Sequence, residues 1–156
     1  MDIFFDGVHL PFKDISFDNI IALEVLEHVE ELDDLMFEIN RALKKDGFFV
    51  ASIPFGWPEH EKPFDFRRFT TFGIEKLLIK NKFEIVLISK SGTLISSLLQ
   101  IIIYYIDDIF SKTDKLRYFL WPIYSIPINS LSLILDFLLP KNKDFYSNLI
   151  VVAKKV

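Results

Sequence analysis

Pro54 to Thr70 reads PFGWPEHEKPFDFRRFT and holds the densest run of reactive side chains in the chain. His60 is the one histidine placed to act as a general base near neutral pH. Arg67 and Arg68 carry planar cationic forks that suit a carboxylate or a phosphate. Trp57, Phe64, Phe66 and Phe69 add aromatic faces. The segment therefore reads as a substrate wall. His60, Arg67 and Arg68 are its catalytic candidates, and Trp57, Phe64 and Phe66 its binding candidates. Asp65 has a plainer role open to it, pairing with Arg67 or Arg68 to fix the loop. Upstream, Glu24, Glu27 and His28 fall within EVLEHV, where Glu27 and His28 can begin a helix and shape the loop before it. Asp6 precedes Gly7, a frequent turn pair, and is alternatively a binding carboxylate. His9 lies in the same loop with no assigned role.

These residues need elements to position them. Residues 2–5 (DIFF) are expected as a short strand ending at Asp6-Gly7. FDNIIAL (Phe17 to Leu23) is short and apolar, as expected of a strand buried on both faces. Val29, Leu32, Leu35, Met36, Ile39 and Leu43 recur at helical spacing among polar neighbours. Gly47 sits where a helix-ending left-handed residue is wanted. FFVASIPF (Phe48 to Phe55) predicts a second buried strand, and Thr70 or Thr71 a cap for a short helix carrying Ile74, Leu77 and Leu78. FEIVLIS (Phe83 to Ser89) predicts a third strand, and Ser147 to Val156 a last one. Alternating strands and helices argue an α/β fold with a parallel sheet and right-handed crossovers.

The chain has 156 residues, 18 Lys+Arg against 22 Asp+Glu, and a formal net charge of −4. One domain over 1–156 is the default at this length. A 51% hydrophobic content with 17 Phe excludes disorder. A sequence pI near 5.4 argues against a nucleic-acid binder that works through bulk positive charge. The lack of cysteine excludes a disulfide scaffold, a thiol nucleophile and a thiolate metal site, and is compatible with the cytoplasm. MDIFFDGVHLPF has neither the basic start nor the continuous apolar stretch of a signal peptide.

The mean hydropathy, +0.29, is high for a soluble domain. The excess lies in the buried strands and in an insertion, 92–146, whose apolar part spans 94–139. Three readings stand for it: a helical cap over a substrate pocket, a surface touching membrane or a partner, or membrane-spanning helices. Residues 118–139 have the length to span. Pro122, Pro127, Asn129 and Asp136 interrupt them, and the two prolines are expected to break or kink the helix. Tyr118, Trp121 and Tyr124 suit a membrane interface and an aromatic-lined pocket equally.

Three segments in order, DGVHLPFKDISFD, EVLEHV followed by an acidic helix and LKKDGFFV, and PFGWPEHEKPFDFRRFT, resemble class I S-adenosylmethionine-dependent methyltransferases of the small type 11 group. The resemblance covers about residues 3–90 and fits the final strand. It implies S-adenosylmethionine as cofactor and a small-molecule, sugar or lipid-linked acceptor. It implies that Asp6 accepts from the adenine amino group, that Gly7 and Val8 give backbone beside the base, and that Leu10 and Phe12 pack near it. It also implies that Glu24 and Val25 border the methionine end, with His28 at the entrance of the next helix. Glu24, Glu27 and His28 with a distal histidine, here His60, look like the ligand set of small-RNA terminal 2′-O-methyltransferases. That family's further histidines are missing and the chain is acidic, so no metal is assigned from the sequence.

The departure from the family pattern is as informative. No glycine-rich strand–turn–helix precedes Asp6; the five glycines are Gly7, Gly47, Gly56, Gly73 and Gly92. The pattern begins at the family's third strand, as an N-terminally truncated domain would. Weak or absent cofactor binding by this chain alone is therefore expected. So is an open sheet edge at the strand from Phe17, which a second copy or a partner chain would cover. The competing expectation is a catalytically inactive remnant that serves as a membrane- or protein-interaction module.

Overall fold

The computed structural model describes residues 3–111 and 114–156. β1 (Phe17–Leu23) and β2 (Leu43–Pro54) pair in parallel, joined through α1 (Leu32–Ala42). Leu32, Leu35, Met36, Ile39 and Ala42 are buried at helical spacing, so α1 turns one apolar stripe inward. α1 ends on extended Leu43 rather than on a glycine. Leu43 is fully buried opposite Phe17, so β2 begins at once and earlier than the expected Phe48. The left-handed residue is Asp46 (φ 64°), and Lys154 meets its carboxylate at 2.7 Å. Gly47 is wanted for closeness instead: a Cβ there would lie 2.8 Å from the Asp18 carbonyl and 2.9 Å from that of Lys44.

β3 (Phe83–Ser91) and β4 (Asn148–Lys155) complete a sheet of order β1-β2-β4-β3. The parallel pairing expected from the alternation of strands and helices is found between β1 and β2, while β4, a strand whose direction the sequence left open, runs antiparallel to β2. Asn148, the first residue of β4, pairs with Pro54, the last of β2, so the chain re-enters the sheet where β2 leaves it. Phe49, Ala51 and Ile53 of β2 and Leu149, Val151 and Ala153 of β4 are fully buried alternate residues. α2 (Thr71–Lys80) adds buried Ile74 and Leu78. The Thr70 side chain caps it by accepting from Gly73 N at 3.1 Å.

Residues 3–5 form no strand, which corrects the expected one at 2–5; Asp2 lies outside the described residues. A strand needs a partner for its backbone polar groups, and the described sheet offers none beyond β1, the edge strand. Ile21 and Leu23 on β1 are exposed.

Two compact units are distinguished: Met1–Phe55 with Glu59–Lys90 and Asn148–Val156, and Gly56–Pro58 with Ser91–Ser147. The second holds α3 (Leu94–Ile109) and α4 (Asp114–Leu138). Thr93 and Ser96 form a reciprocal capping box at the start of α3, and Thr93 Oγ1 donates to Asp136 at 2.5 Å. Asp107 accepts from Arg117 Nε at 2.9 Å and from the Tyr124 hydroxyl at 2.9 Å, tying α3 to α4. Of the break or kink expected at the prolines, the break is corrected, since α4 continues through Pro122 and Pro127. Each proline removes one donor, and the rest of the ladder carries the helix on.

Candidate functional site

The first unit builds a site at the carboxyl end of β1. Glu24 follows that strand with φ 53°, a left-handed backbone that a non-glycine residue adopts at a cost. Its N–H donates to the Ser52 carbonyl at 3.0 Å. Its carboxylate accepts from Ser52 Oγ at 2.5 Å and Asn148 Nδ2 at 2.8 Å. Glu24 is thus held by β2 and β4 together at the rim. Leu26–His28 then form a short 3-10 turn, so Glu27 and His28 precede α1 rather than begin it.

Asp6 heads a tight turn. Its Oδ1 accepts from Val8 N at 2.9 Å and His9 N at 2.7 Å, and its Oδ2 lies 2.7 Å from His9 Nδ1. The His9 side-chain bond, with the two backbone donors, lowers the Asp6 carboxyl to about 2 and raises His9 above its ordinary value. Gly7 supplies the positive φ of 89° that the turn requires. Arg41 on α1 then anchors the loop. It donates to the Leu10 and Phe12 carbonyls at 3.1 and 2.9 Å, to Glu38, and to Asp14 at 2.6 Å. Glu38 also accepts from Leu10 N at 3.0 Å, and the Phe12 ring stands edge-on to Phe17 at 4.8 Å.

A cavity of about 180 Å³ opens between this turn and the 59–70 loop. Asp6, Gly7 and Val8 line it with His28, Phe64 and Phe66. His28 Nδ1 lies 2.6 Å from the Phe64 carbonyl. A carbonyl only accepts, so Nδ1 carries the proton. Phe66 N donates to the Glu27 carbonyl at 2.9 Å, and Arg67 to that of Glu30 at 2.8 Å. The structure therefore brings five sequence candidates around one cavity: Asp6, Gly7, His28, Phe64 and Phe66. Leu10, Glu24 and Val25 lie outside its lining. Trp57 belongs to the other unit, where its ring lies 5.8 Å from Tyr104.

Behind His28 the loop is pinned by Asp65. Asp65 binds Arg68 through both carboxylate oxygens, accepts from His60 N at 3.1 Å and lies 3.3 Å from His60 Nδ1. The Arg68 guanidinium outweighs burial and holds the Asp65 carboxyl well below the usual range. The His60 and His28 rings meet edge to face at 4.8 Å. Glu27 is fully buried beneath them, and neither carboxylate oxygen has a hydrogen-bond partner. Burial pushes its carboxyl above the ordinary value. Glu27, His28 and His60 each bring one ligand-type atom within 4.8 Å of the others.

Sequence reasoning missed Arg41 and Glu38 as anchors of the Asp6 loop, and Ser52 and Asn148 as holders of Glu24. Asn148 lies 124 residues from Glu24, beyond any local pattern. The Glu38/Arg41 pair on α1 had only a spacing signal.

Residues 3–51 match the model of a methyltransferase domain family. An uncharacterized protein of Methanocaldococcus jannaschii is 46% identical over 46 residues, which are 30% of this chain and 20% of that protein. A putative sarcosine dimethylglycine methyltransferase from Galdieria sulphuraria is similar in structure, with TM-score 0.59 and 14% identity over 96% of this chain and 57% of that one. Phosphoethanolamine N-methyltransferase 2 of Haemonchus contortus, solved with S-adenosyl-L-methionine, gives 0.55 and 17% over 96% and 36%. The [4+2]-cyclase SpnF gives 0.55 and 17% over 97% and 54%. The chain thus spans about half the length of such structures and a fifth of the curated relative. At these identities the structures share the fold; a cyclase on the same fold shows that activity needs its own argument.

Proposed function

We propose that this chain, whose fold is that of class I S-adenosylmethionine-dependent methyltransferases, forms the part of a methyl-transfer site that meets the cofactor's adenine and methionine ends and the acceptor. The observation that carries the reading is the cavity between the Asp6–Val8 turn and the His28, Phe64 and Phe66 side chains. Ligands of open α/β sheets sit beyond the carboxyl ends of the strands, and Glu24 stands at that position after β1. The fit to the cofactor is partial. A cavity of about 180 Å³ is below the usual ligand-pocket range of roughly 300–1,000 Å³. It suits the base, and a glycine-rich turn for the remainder is absent from the sequence.

S-adenosylmethionine supplies a methyl group on a sulfonium, open to in-line displacement by an acceptor oxygen, nitrogen or carbon. The chain's own residues position the partners. Ionised Asp6 is acceptor-only and keeps lone-pair capacity for an adenine amino group. Gly7 and Val8 present backbone beside the base, and Leu10 closes the loop against α1. Glu24 and Val25 border the methionine end, beside His28. Phe64 and Phe66 wall the acceptor. His60 takes a proton when the acceptor is a hydroxyl. Arg67 and Arg68 hold the loop through Glu30 and Asp65, beyond the anion recognition expected of them. Calorimetric titration with S-adenosylhomocysteine tests the reading. Asp6→Ala should weaken binding roughly 10- to 100-fold, the worth of a hydrogen bond to a charged group. Equal affinity in the two proteins would sink it.

A second reading concerns the helical unit. Tyr118, Phe119, Trp121, Phe137 and Leu138 are exposed on α4. Lys115–Leu138 is long and apolar enough to cross a membrane, with only 11% of its most apolar window buried. Basic Lys115 opens it, and Lys141 and Lys143 follow it. We propose that this unit meets a lipid surface, which would suit a lipid-linked acceptor. The protein should float with anionic liposomes, and a Phe119→Glu/Trp121→Glu/Phe137→Glu variant should stay in the dense fraction. Equal flotation would reject lipid contact.

A further inference from the structure

We propose that β1 is the seam of a two-fold dimer, in which the β1 strands of two copies of this chain pair antiparallel about Ile20 and join the two sheets into one. Dimer formation does not depend on the methyl-transfer reading. β1 is an edge of the described sheet, with β2 on one side only. Glu24, just past the strand, donates its N–H to Ser52 of β2, and Ser16, just before it, donates to Ala42. Backbone groups alternate in direction along a strand, so the even-numbered residues face β2. Phe17, Asn19, Ile21 and Leu23 therefore turn their N–H and C=O groups to the open side.

Edge strands are commonly protected from other chains by a lysine, a proline, a bulge or an inward-pointing charge. FDNIIAL has neither lysine nor proline. The irregularity in its pairing adds residues to β2 rather than to β1. Its single charge, Asp18, is held by Lys44 at 2.8 Å. Ile21 and Leu23 are 65% and 61% exposed.

The register favours a second copy over an unrelated chain. A two-fold axis normal to the sheet sets residues of like parity opposite one another. Centred on Ile20, the middle of the seven residues, it pairs the whole strand. Asn19 then meets Ile21 of the second copy, Phe17 meets Leu23, and Ile20 meets its own counterpart. The outward-facing odd residues form the hydrogen-bonded pairs, and Ile20 the closer non-bonded pair. Leu23 gains an aromatic neighbour, and Asp18 meets Ala22. Moving the centre to Ile21 would set Asp18 against Glu24, a like-charge pair. Moving it to Asn19 would pair Leu23 with Ile15, whose φ of 55° is not that of a strand. The seam is short, in the class under roughly 1,200 Å², so the dimer is reversible. Phe17 of the second copy, with Phe12 edge-on to it, comes beside Leu23 and hence next to the Glu24 rim.

Sedimentation equilibrium of the full chain should show a concentration-dependent monomer–dimer equilibrium. Ile21→Lys places a charge at an exposed position, so the monomer should keep its melting temperature while association weakens roughly 10-fold or more. Val86→Lys, exposed on β3 at the opposite edge, should associate as the parent does. The chain lacks cysteine, so single cysteines report the register and cover the case in which Ile21→Lys misfolds. Ile20→Cys should form an intermolecular disulfide under mild oxidant, because the paired Cα atoms stand about 4.5 Å apart. Asp18→Cys is more exposed but should crosslink far more slowly, because its two copies lie roughly 13 Å apart along the seam. A monomer at every concentration up to the millimolar range, undiminished association in Ile21→Lys, loss in Val86→Lys, or crosslinking of Asp18→Cys as fast as Ile20→Cys would each overturn the seam. So would association that the Phe119→Glu/Trp121→Glu/Phe137→Glu variant abolishes, which would place the contact on α4.

Discussion

Phe49→Ala should cost about 3–5 kcal/mol of folding free energy, the range for removing a large buried aromatic. Phe49 lies in β2, paired with Ile20 of β1 on one side and Ala153 of β4 on the other. It is fully buried, and its ring stands 5.8 Å from that of Phe83. With three strands meeting around that ring, the backbone cannot close the gap left by truncation. Phe48, the next residue, points to the other face and keeps 38% of its surface exposed. Phe48→Ala should cost well under half as much. Urea unfolding of the two variants measures the difference, and equal losses would show that the sheet's inner face has been misassigned.

Asp65→Ala should cost about 3 kcal/mol. The Asp65 side chain is 3% exposed and that of Arg68 is 22% exposed, so truncation removes the carboxylate half of a largely buried ion pair. It also removes the acceptor for His60 N, which opens the 59–70 loop. The pH dependence carries a sign. The folded-state carboxyl is depressed, so the pair's contribution is fully present above the ordinary value of 3.8 and fades as pH falls toward the folded-state value. The parent should therefore lose stability below about pH 4 more steeply than Asp65→Ala, and parallel acid-unfolding curves would contradict the pairing.

Local patterns made much of this readable. The apolar stripe of α1, the Thr70 cap and the cores of the strands follow from residue periods and side-chain chemistry. The resemblance singled out Asp6, Gly7 and His28, and the make-up of the 54–70 segment singled out Phe64 and Phe66; that all five line one cavity is seen only in the structure. What stayed hidden depends on distant partners. The direction of β4 shows only in its pairing with the distant β2, which no local period encodes. Gly47 looked like a helix end because it follows Lys44, Lys45 and Asp46 at the close of the helical period, but buried Leu43 starts the strand four residues sooner. Pro122 and Pro127 looked like breaks because propensity was weighed without the remaining ladder. The isolation of the Glu27 carboxylate emerges only when α1, the 3-10 turn and the 59–70 loop are together.

On the proposed function, the Asp6 turn and the β1 rim receive S-adenosylmethionine. Titration of the isotope-labelled chain with S-adenosylhomocysteine, followed by amide NMR, tests it most directly, since weak binding still moves resonances. Saturable shifts are expected to centre on Gly7, Val8, Glu24, Val25, His28, Phe64 and Phe66, all strongly reduced in Asp6→Ala. Saturable shifts centred elsewhere, or none at millimolar ligand, would contradict it.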